Sequence, residues 1–206
     1  MVYGERQGQG REYWSKEGRV RYEGEFKNGK VHGKGVRIYG EGGLLRYEGD
    51  LVVGEKQGMG KEYHAGGELK YHGEFLNDKP HGKMVRFYDD NGKLRFEGSI
   101  VEGAKNGVGK EYYSNGKCCF EGEFKDDKPN GKGIKIFNQN GRLMYEGGMV
   151  AGKKEGPGKE YHVINSRIAY EGDFRNNRRN CSTAKVYNSY GVCIYQGILI
   201  IIKKKR

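Results

Sequence analysis

The side chains suited to catalysis or metal binding in this chain are five histidines, four cysteines and a recurrent glutamate. His32 and His81 occupy equivalent positions in an internal repeat, as do His64 and His162. They are therefore copies set rows apart, with His72 alone, and not a cluster that closes on an ion. Cys118 and Cys119 are adjacent, Cys181 and Cys193 stand singly, and none has C-x-x-C spacing. Neither a disulfide framework nor a zinc site follows from that arrangement, and packing is the expected role of the vicinal pair. Glu62, Glu111 and Glu160 each follow a lysine; they are expected to be cross-strand ion-pair partners rather than general acids. Gly-x-Gly recurs, as at Gly33/Gly35 and Gly58/Gly60. No copy is followed by Gly-Lys-Ser/Thr or by the helix opening that cradles a phosphate. The expectation is a chain without catalytic residues, metal or cofactor.

The elements that hold these residues are set by a repeat. An aromatic-x-Gly pair occurs at Tyr22/Gly24, Tyr47/Gly49, Tyr71/Gly73, Phe96/Gly98, Phe120/Gly122, Tyr145/Gly147, Tyr170/Gly172 and Tyr195/Gly197. Successive steps are 25, 24, 25, 24, 25, 25 and 25 residues. Self-similarity at such a period marks an array. Within Tyr22-Glu23-Gly24-Glu25-Phe26 the alternation is two-fold, which puts Tyr22, Gly24 and Phe26 on one face and the two glutamates on the other. Turns are expected at Asn28-Gly29, Asn77-Asp78, Asp126-Asp127 and Asn176-Asn177, whose residues tolerate left-handed backbone. A second turn is signalled by Asn91-Gly92, Asn115-Gly116 and Asn140-Gly141. Each cycle thus reads as a β-hairpin. Glycine inside a strand weakens it, so these glycines imply the close approach of an aromatic ring that a Cβ would block.

With Tyr22-Glu23-Gly24-Glu25-Phe26 followed by Gly33-Lys34-Gly35, the chain resembles the MORN (membrane occupation and recognition nexus) repeat, and its Asn-Gly-rich cycles resemble the variant found in protist and bacterial proteins. The resemblance covers nearly the whole chain. It implies an all-β protein: an elongated, twisted antiparallel sheet of about eight stacked hairpins with aromatics and glycines forming the core on one side. It also implies a role in organising assemblies, often by pairing through the repeats. Bacterial proteins of this variant taken to be antitoxins supply a more distant reading, a neutralising partner.

A longer period comes from the residues themselves. Cycles alternate between Gly-Glu-Phe … Lys-Pro-x-Gly-Lys, at Gly73 and Gly122, and Gly-Lys-Glu-Tyr, at Gly60, Gly109 and Gly158. Aligned on Gly-x-Gly, one strand position runs Arg11, Val36, Lys61, Val85, Lys110, Ile134, Lys159, Ala184. Two residues on it runs Tyr13, Ile38, Tyr63, Phe87, Tyr112, Ile136, Tyr161, Val186. One surface is therefore expected to carry Arg11, Lys61, Lys110 and Lys159 on the order of 20 Å apart, four strands at ~4.8 Å each, with apolar residues between.

Mean hydropathy of −0.93 beside 12% aromatic residues and 37 glycines excludes one deep core and favours a thin core spread along an array. The array is placed at 1–197, its first repeat incomplete and its last degenerate where Cys181-Ser182-Thr183 replaces Gly-x-Gly. An apolar terminal strand and basic tail are placed at 198–206. No signal peptide is visible, and the longest apolar run, Ile198 to Ile202, is far short of the ~20 residues that span a bilayer. A cytoplasmic address, in association with cytoskeleton or membrane, is the expectation. The formal charge of +11 and the tail Lys203, Lys204, Lys205, Arg206 suit an anionic leaflet at ~1 kcal/mol per charge, with Ile198, Ile200 and Ile202 as apolar anchors. The leading expectation is a non-catalytic scaffold that bridges protein partners in a cytoskeletal, ciliary or other large assembly, with self-association through its ends. Peripheral binding to anionic phospholipid is the alternative. Nucleic acid is not expected, because acids interleaved with the bases repel phosphates.

Overall fold

The computed structural model describes residues 4–16 and 18–199. Ile200, Ile202 and the basic residues 203–206 lie outside them. Among the described residues strands are the only regular structure, and every strand pairing is antiparallel. The chain divides into two compact units, Met1–Ala104 and Lys105–Arg206. The first holds β1 (Gly8–Tyr13), β2 (Val20–Lys27), β3 (Lys30–Tyr39), β4 (Leu45–Val52), β5 (Glu55–Tyr63), β6 (Leu69–Leu76), β7 (Lys79–Tyr88) and β8 (Leu94–Val101). The second holds β9 (Ala104–Tyr112), β10 (Cys118–Lys125), β11 (Lys128–Pro129), β12 (Gly131–Phe137), β13 (Leu143–Val150), β14 (Lys153–Tyr161), β15 (Ile168–Arg175), β16 (Arg178–Arg179), β17 (Cys181–Tyr187) and β18 (Cys193–Leu199). The all-β hairpin architecture is as expected. β18 runs through the 197/198 boundary drawn from composition.

The core is one side chain deep and lies on a single face in each unit. Facing residues form a row: Tyr22 meets Ile38, Ile38 meets Tyr47, Tyr47 meets Glu62, and Glu62 meets Tyr71. A second row is glycine-rich, with Val36 facing Gly49, Gly49 facing Gly60 and Gly60 facing Gly73. Each signature tyrosine folds its ring along its own strand, over the glycine two residues on. Its hydroxyl donates to the carbonyl of the residue after that: Tyr22 to Glu25 at 2.7 Å, Tyr47 to Asp50 at 2.9 Å, Tyr145 to Gly148 at 2.7 Å. A Cβ on Gly49 would stand 2.5 Å from Tyr47 Oη and 2.6 Å from the Gly60 Cα. These glycines are there because a ring and a neighbouring strand occupy the space, as the sequence implied. The ring comes from the same strand at Gly49 and from the facing one at Gly60, Tyr47 in both cases.

That single reason does not extend to every signature glycine: Gly24, Gly122 and Gly197 have φ of 155°, 154° and 158°, and Gly98 is of the same kind. It follows Phe96, which has no hydroxyl to reach the carbonyl beyond, and it faces Val85 across β7 and β8. Its φ is 152°, a value that L side chains rarely adopt, whereas its counterparts Gly49 and Gly147 have ordinary negative φ. At Gly98 the backbone conformation itself calls for glycine.

Edge-to-face contacts tie the rings together, Tyr22 to Phe26 at 5.0 Å, Tyr47 to Phe75 at 5.6 Å and Tyr145 to Phe174 at 5.3 Å. Burial, then the charge of Glu160, pushes the Tyr145 hydroxyl up to about 12, so it stays a donor.

Glu62, Glu111 and Glu160 sit within the aromatic row and not among the charged residues of the opposite face. Their principal partner is the lysine six residues earlier on the same strand: Lys56, Lys105 and Lys154. Cross-strand cations join them, Lys70 on Glu62 at 3.9 Å and Arg179 on Glu160 at 2.8 Å. The expectation of cross-strand pairing therefore needs correction: the pairing is chiefly within a strand, and it serves as a lid. Lys56 Nζ lies 5.0 Å and 5.4 Å from the ring centroids of Tyr47 and Phe75, and Lys154 Nζ 4.5 Å and 5.4 Å from those of Tyr145 and Phe174. A lysine and a glutamate thus close the top of the ring layer, where neither charge is fully removed from water.

The tight turns place two residues in left-handed backbone, at Asn28-Gly29, Asn77-Asp78, Asp126-Asp127 and Asn176-Asn177, as their composition implied. Three further turns of this kind were not legible: Val53-Gly54, Glu102-Gly103 and Ala151-Gly152. Asn-Gly marks the other set of turns correctly as hairpins but by a different geometry. Gly92, Gly116 and Gly141 alone are left-handed, and each donates its amide to the carbonyl three residues back. Val53, at φ 52°, is a β-branched residue in a conformation that costs a non-glycine residue ~1–2 kcal/mol. Its side chain is half exposed and only its amide is engaged, with His32 Nδ1. Val53→Asn is expected to raise stability by about 1 kcal/mol, readable as a higher denaturant midpoint with an unchanged slope.

Candidate interaction face

The face opposite the aromatic layer carries a ladder of charges one strand apart. In the first unit Arg11 faces Glu23, Glu23 faces Arg37, Arg37 faces Glu48, and Glu48 faces Lys61. Lys61 then faces His72, His72 faces Arg86, and Arg86 faces Glu97. In the second unit the order is Lys110, Glu121, Lys135, Glu146, then Lys159, Glu171, Lys185 and Gln196. Base and acid alternate across the sheet because each hairpin contributes one of each at the same register. Opposite charges directly across a strand pair stabilise it, and like charges there do the reverse.

Arg11, Lys61, Lys110 and Lys159 all lie on this face, as expected, but their surroundings differ from the expectation. Val36, Val85, Ile134 and Ala184 are on the other face and are 0–1% exposed. The Gly-x-Gly pairs are not equivalent between the two hairpin types. Ile38 and Glu62 flank Tyr47 from either side, which makes Val36 the counterpart of Gly60 and not of Lys61. The strands are irregular next to these glycines, with register shifts at Gly33/Val36 and at Gly49/Leu51, and this slips the alignment by one residue. A one-residue slip exchanges faces. The second predicted row splits the same way, Ile38, Phe87, Ile136 and Val186 joining the aromatic layer. The true neighbours of the four predicted bases are Arg37, Arg86, Lys135 and Lys185. Bases therefore recur every second strand, about 10 Å apart, with acids between.

The contacts are those of an exposed surface. Arg11 Nη2 reaches Glu23 Oε1 at 2.7 Å, Lys110 Nζ reaches Glu121 at 3.5 Å and Lys159 Nζ reaches Glu171 at 3.6 Å. The Arg11 hydrogen bond and charge hold the Glu23 carboxyl below its ordinary range. A tyrosine row borders the ladder: Tyr161 donates to Glu146 Oε2 at 3.1 Å and Tyr63 to Glu48 Oε2 at 3.4 Å. Burial, then the Glu146 hydrogen bond and charge, pushes Tyr161 up to about 12. In the second unit the ladder borders an open trough of about 680 Å³ lined by Glu146, Lys159, Glu171, Asp173 and Lys185, among others.

His72 is the one place in the first unit's ladder where an acid is replaced, and it lies between Lys61 and Arg86. Burial, then the charges of Lys61 and Arg86, lowers its pKa from the usual 6.5. Below 6.5 the unfolded chain takes up the proton first, so stability falls as pH drops through that window. His72→Glu is expected to add about 0.5 kcal/mol at neutral pH and to remove that slope between pH 6.5 and the folded value, as measured by chemical denaturation at several pH values.

Among the described residues no three His, Cys, Asp or Glu side chains are grouped to hold a metal ion. Cys193 is an exposed free thiol. Ile198, a predicted apolar contact, is 65% exposed on β18.

The family model of the MORN repeat matches residues 1–19, 22–44, 71–92, 96–118, 120–142, 145–167 and 170–180. The unmatched interval 45–70 contains β4, β5 and the start of β6, yet Tyr47, Gly49 and Gly60 stand to one another there as Tyr145, Gly147 and Gly158 do in a matched segment. No curated protein is a significant match.

Proposed function

Because this chain belongs to the MORN-repeat family, we propose that it is a non-catalytic scaffold that binds protein partners through its charge-alternating face within a larger assembly, cytoskeletal or ciliary in kind. The ladder is the observation that carries the reading. In the second unit its bases are interleaved with acids one strand away, and the first unit follows the same pattern except at His72. Outside the Lys61–His72–Arg86 stretch, a face of that pattern is nearly neutral over a patch a few strands wide. It offers little to a uniformly anionic bilayer or phosphate backbone, and it specifies a partner whose own charges alternate at the same spacing. The overall charge of +11 supports the competing reading, a peripheral binder of anionic phospholipid.

The discriminating experiment inverts the second ladder as a whole: Lys110, Lys135, Lys159 and Lys185 to Glu, with Glu121, Glu146 and Glu171 to Lys. Alternation within the sheet survives, so folding is retained, while complementarity to a partner is reversed. Proteins that copurify with the tagged chain from its native source are expected to be lost from the inverted variant. Retention of the same partners, or salt-sensitive flotation of both forms with anionic vesicles, would refute the scaffold reading.

A further inference from the structure

The first and last described strands, β1 and β18, are halves of a junction that is complete elsewhere in the protein. β18 is of the same type as β4 and β13, each of which is followed by a strand of the Gly-Lys-Glu-Tyr kind, β5 or β14. β1, with Gly10-Arg11-Glu12-Tyr13, is a strand of that kind. In the complete junctions glycine faces glycine (Gly49 with Gly60, Gly147 with Gly158) and tyrosine faces glutamate (Tyr47 with Glu62, Tyr145 with Glu160). Among the described residues β18 has a strand on one side only, β17, and β1 has only β2.

The side chains at these two edges carry the signature of an interrupted contact. Tyr195 is 42% exposed, whereas its counterparts Tyr47 and Tyr145 are 2% and 1% exposed beneath the following strand. Lys56 and Lys154 each cover two rings, one from the strand before and one from the strand after. Arg6 is their counterpart, pairing with Glu12 six residues on, and it lies 4.6 Å over Phe26, the ring of the strand after. The ring that it lacks is the one that Tyr195 exposes.

We propose that the open edge of β18 in one copy pairs antiparallel with β1 of a second copy, Gly197 facing Gly10, Gln196 facing Arg11 and Tyr195 facing Glu12, with the Arg6 guanidinium over the Tyr195 ring. This deepens the scaffold reading by naming one partner, the chain itself. The register follows from the complete junctions, and the ladder continues through it, the Gln196 amide oxygen accepting from Arg11 where Glu48 and Glu146 stand opposite lysine. Because the two surfaces differ, the contact is heterologous: each added copy presents a fresh β18 edge, and assembly runs in rows or closes into rings. An exposed strand edge is a template for such pairing.

Cysteine pairs test both the contact and its register, in a full-length chain whose four native cysteines are changed to serine. Facing residues of antiparallel strands lie within disulfide range. Mixing Gln196→Cys chains with Arg11→Cys chains under mild oxidation is expected to give a disulfide-linked dimer. Either variant alone, or Gln196→Cys mixed with Gln7→Cys, is expected to give none. In parallel, the unmodified chain should show an average mass by sedimentation that rises with concentration, and Tyr195→Asp, which sets a carboxylate against Glu12, should abolish the rise. A chain that stays monomeric at all concentrations, or crosslinking by either variant alone as readily as by the mixture, overturns the proposal. Neither result bears on capture of other proteins by the charged face, so the two readings fail separately.

Discussion

Gly147→Ala is expected to destabilise the second unit by about 3 kcal/mol, while Gly133→Ala, fourteen residues earlier, leaves it unchanged or slightly more stable. The added Cβ at Gly147 would meet the Gly158 Cα at 2.5 Å, the Pro157 carbonyl oxygen at 2.7 Å and Tyr145 Oη at 2.7 Å. Two of the three are backbone of the facing strand, so relief requires β13 and β14 to part. That movement would also break the Tyr145 hydroxyl bond to the Gly148 carbonyl and lift the ring from its place under Lys154. Gly133 has nothing within 4 Å of its Cβ position and is not in left-handed backbone, so alanine there only restricts the unfolded chain. Melting both variants beside the parent separates the readings. Equal losses at the two sites would show that glycine is needed for backbone freedom and not for space.

Glu160→Gln is expected to cost about 2 kcal/mol, a figure already reduced because the site is part exposed. Glu160 holds Lys154 at 2.6 Å and Arg179 at 2.8 Å, with side-chain exposures of 22% for both Glu160 and Lys154. Burial alone would raise its pKa; the hydrogen bonds and charges of Lys154 and Arg179 outweigh that and bring it below 4.5. Its contribution is therefore complete above pH 4.5 and is lost as pH falls through the lower folded value. The amide leaves two cations facing each other over the Tyr145, Tyr170 and Phe174 rings. The variant should consequently melt lower at neutral pH and lose less stability than the parent on acidification below pH 4.5. A parallel acid response in both proteins would remove Glu160 from this role.

The period, the hairpins and the facing of Tyr22, Gly24 and Phe26 were legible because alternation and left-handed turn residues are local properties. The charged face was half legible. Arg11, Lys61, Lys110 and Lys159 stand out as a row in the sequence, but Val36, Val85, Ile134 and Ala184 were set between them where Arg37, Arg86, Lys135 and Lys185 stand. Aligning Gly33-Lys34-Gly35 with Gly58-Met59-Gly60 ignores an irregular register beside the glycines, and a slip of one residue puts Val36 on the surface. The signal that would have placed it is charge itself: aligning Arg37 with Lys61 makes every neighbour opposite in sign except His72 and Gln196. The lid lysines were missed for a related reason. Lys56 and Glu62 are six residues apart, a spacing that brings side chains together only where a strand departs from its pleat. Val53-Gly54 escaped notice because valine in a left-handed turn contradicts its own propensity. Gly98 reads like every other signature glycine in sequence, since a backbone angle leaves no mark on residue type beyond the glycine itself.

The two hairpin types differ in what they lend a neighbour. One supplies the lysine and glutamate that roof the rings, and the other fills the place of that glutamate with Ile38, Ile136 or Phe87. Removing a single hairpin would set roof against roof or leave two ring rows with none between them. A viable lineage of such chains should therefore grow and shrink by whole two-hairpin modules, and every contact that defines a module reaches no further than the adjacent one. Folding that proceeds by such short-range steps can begin wherever the first module forms, without waiting for distant segments to meet.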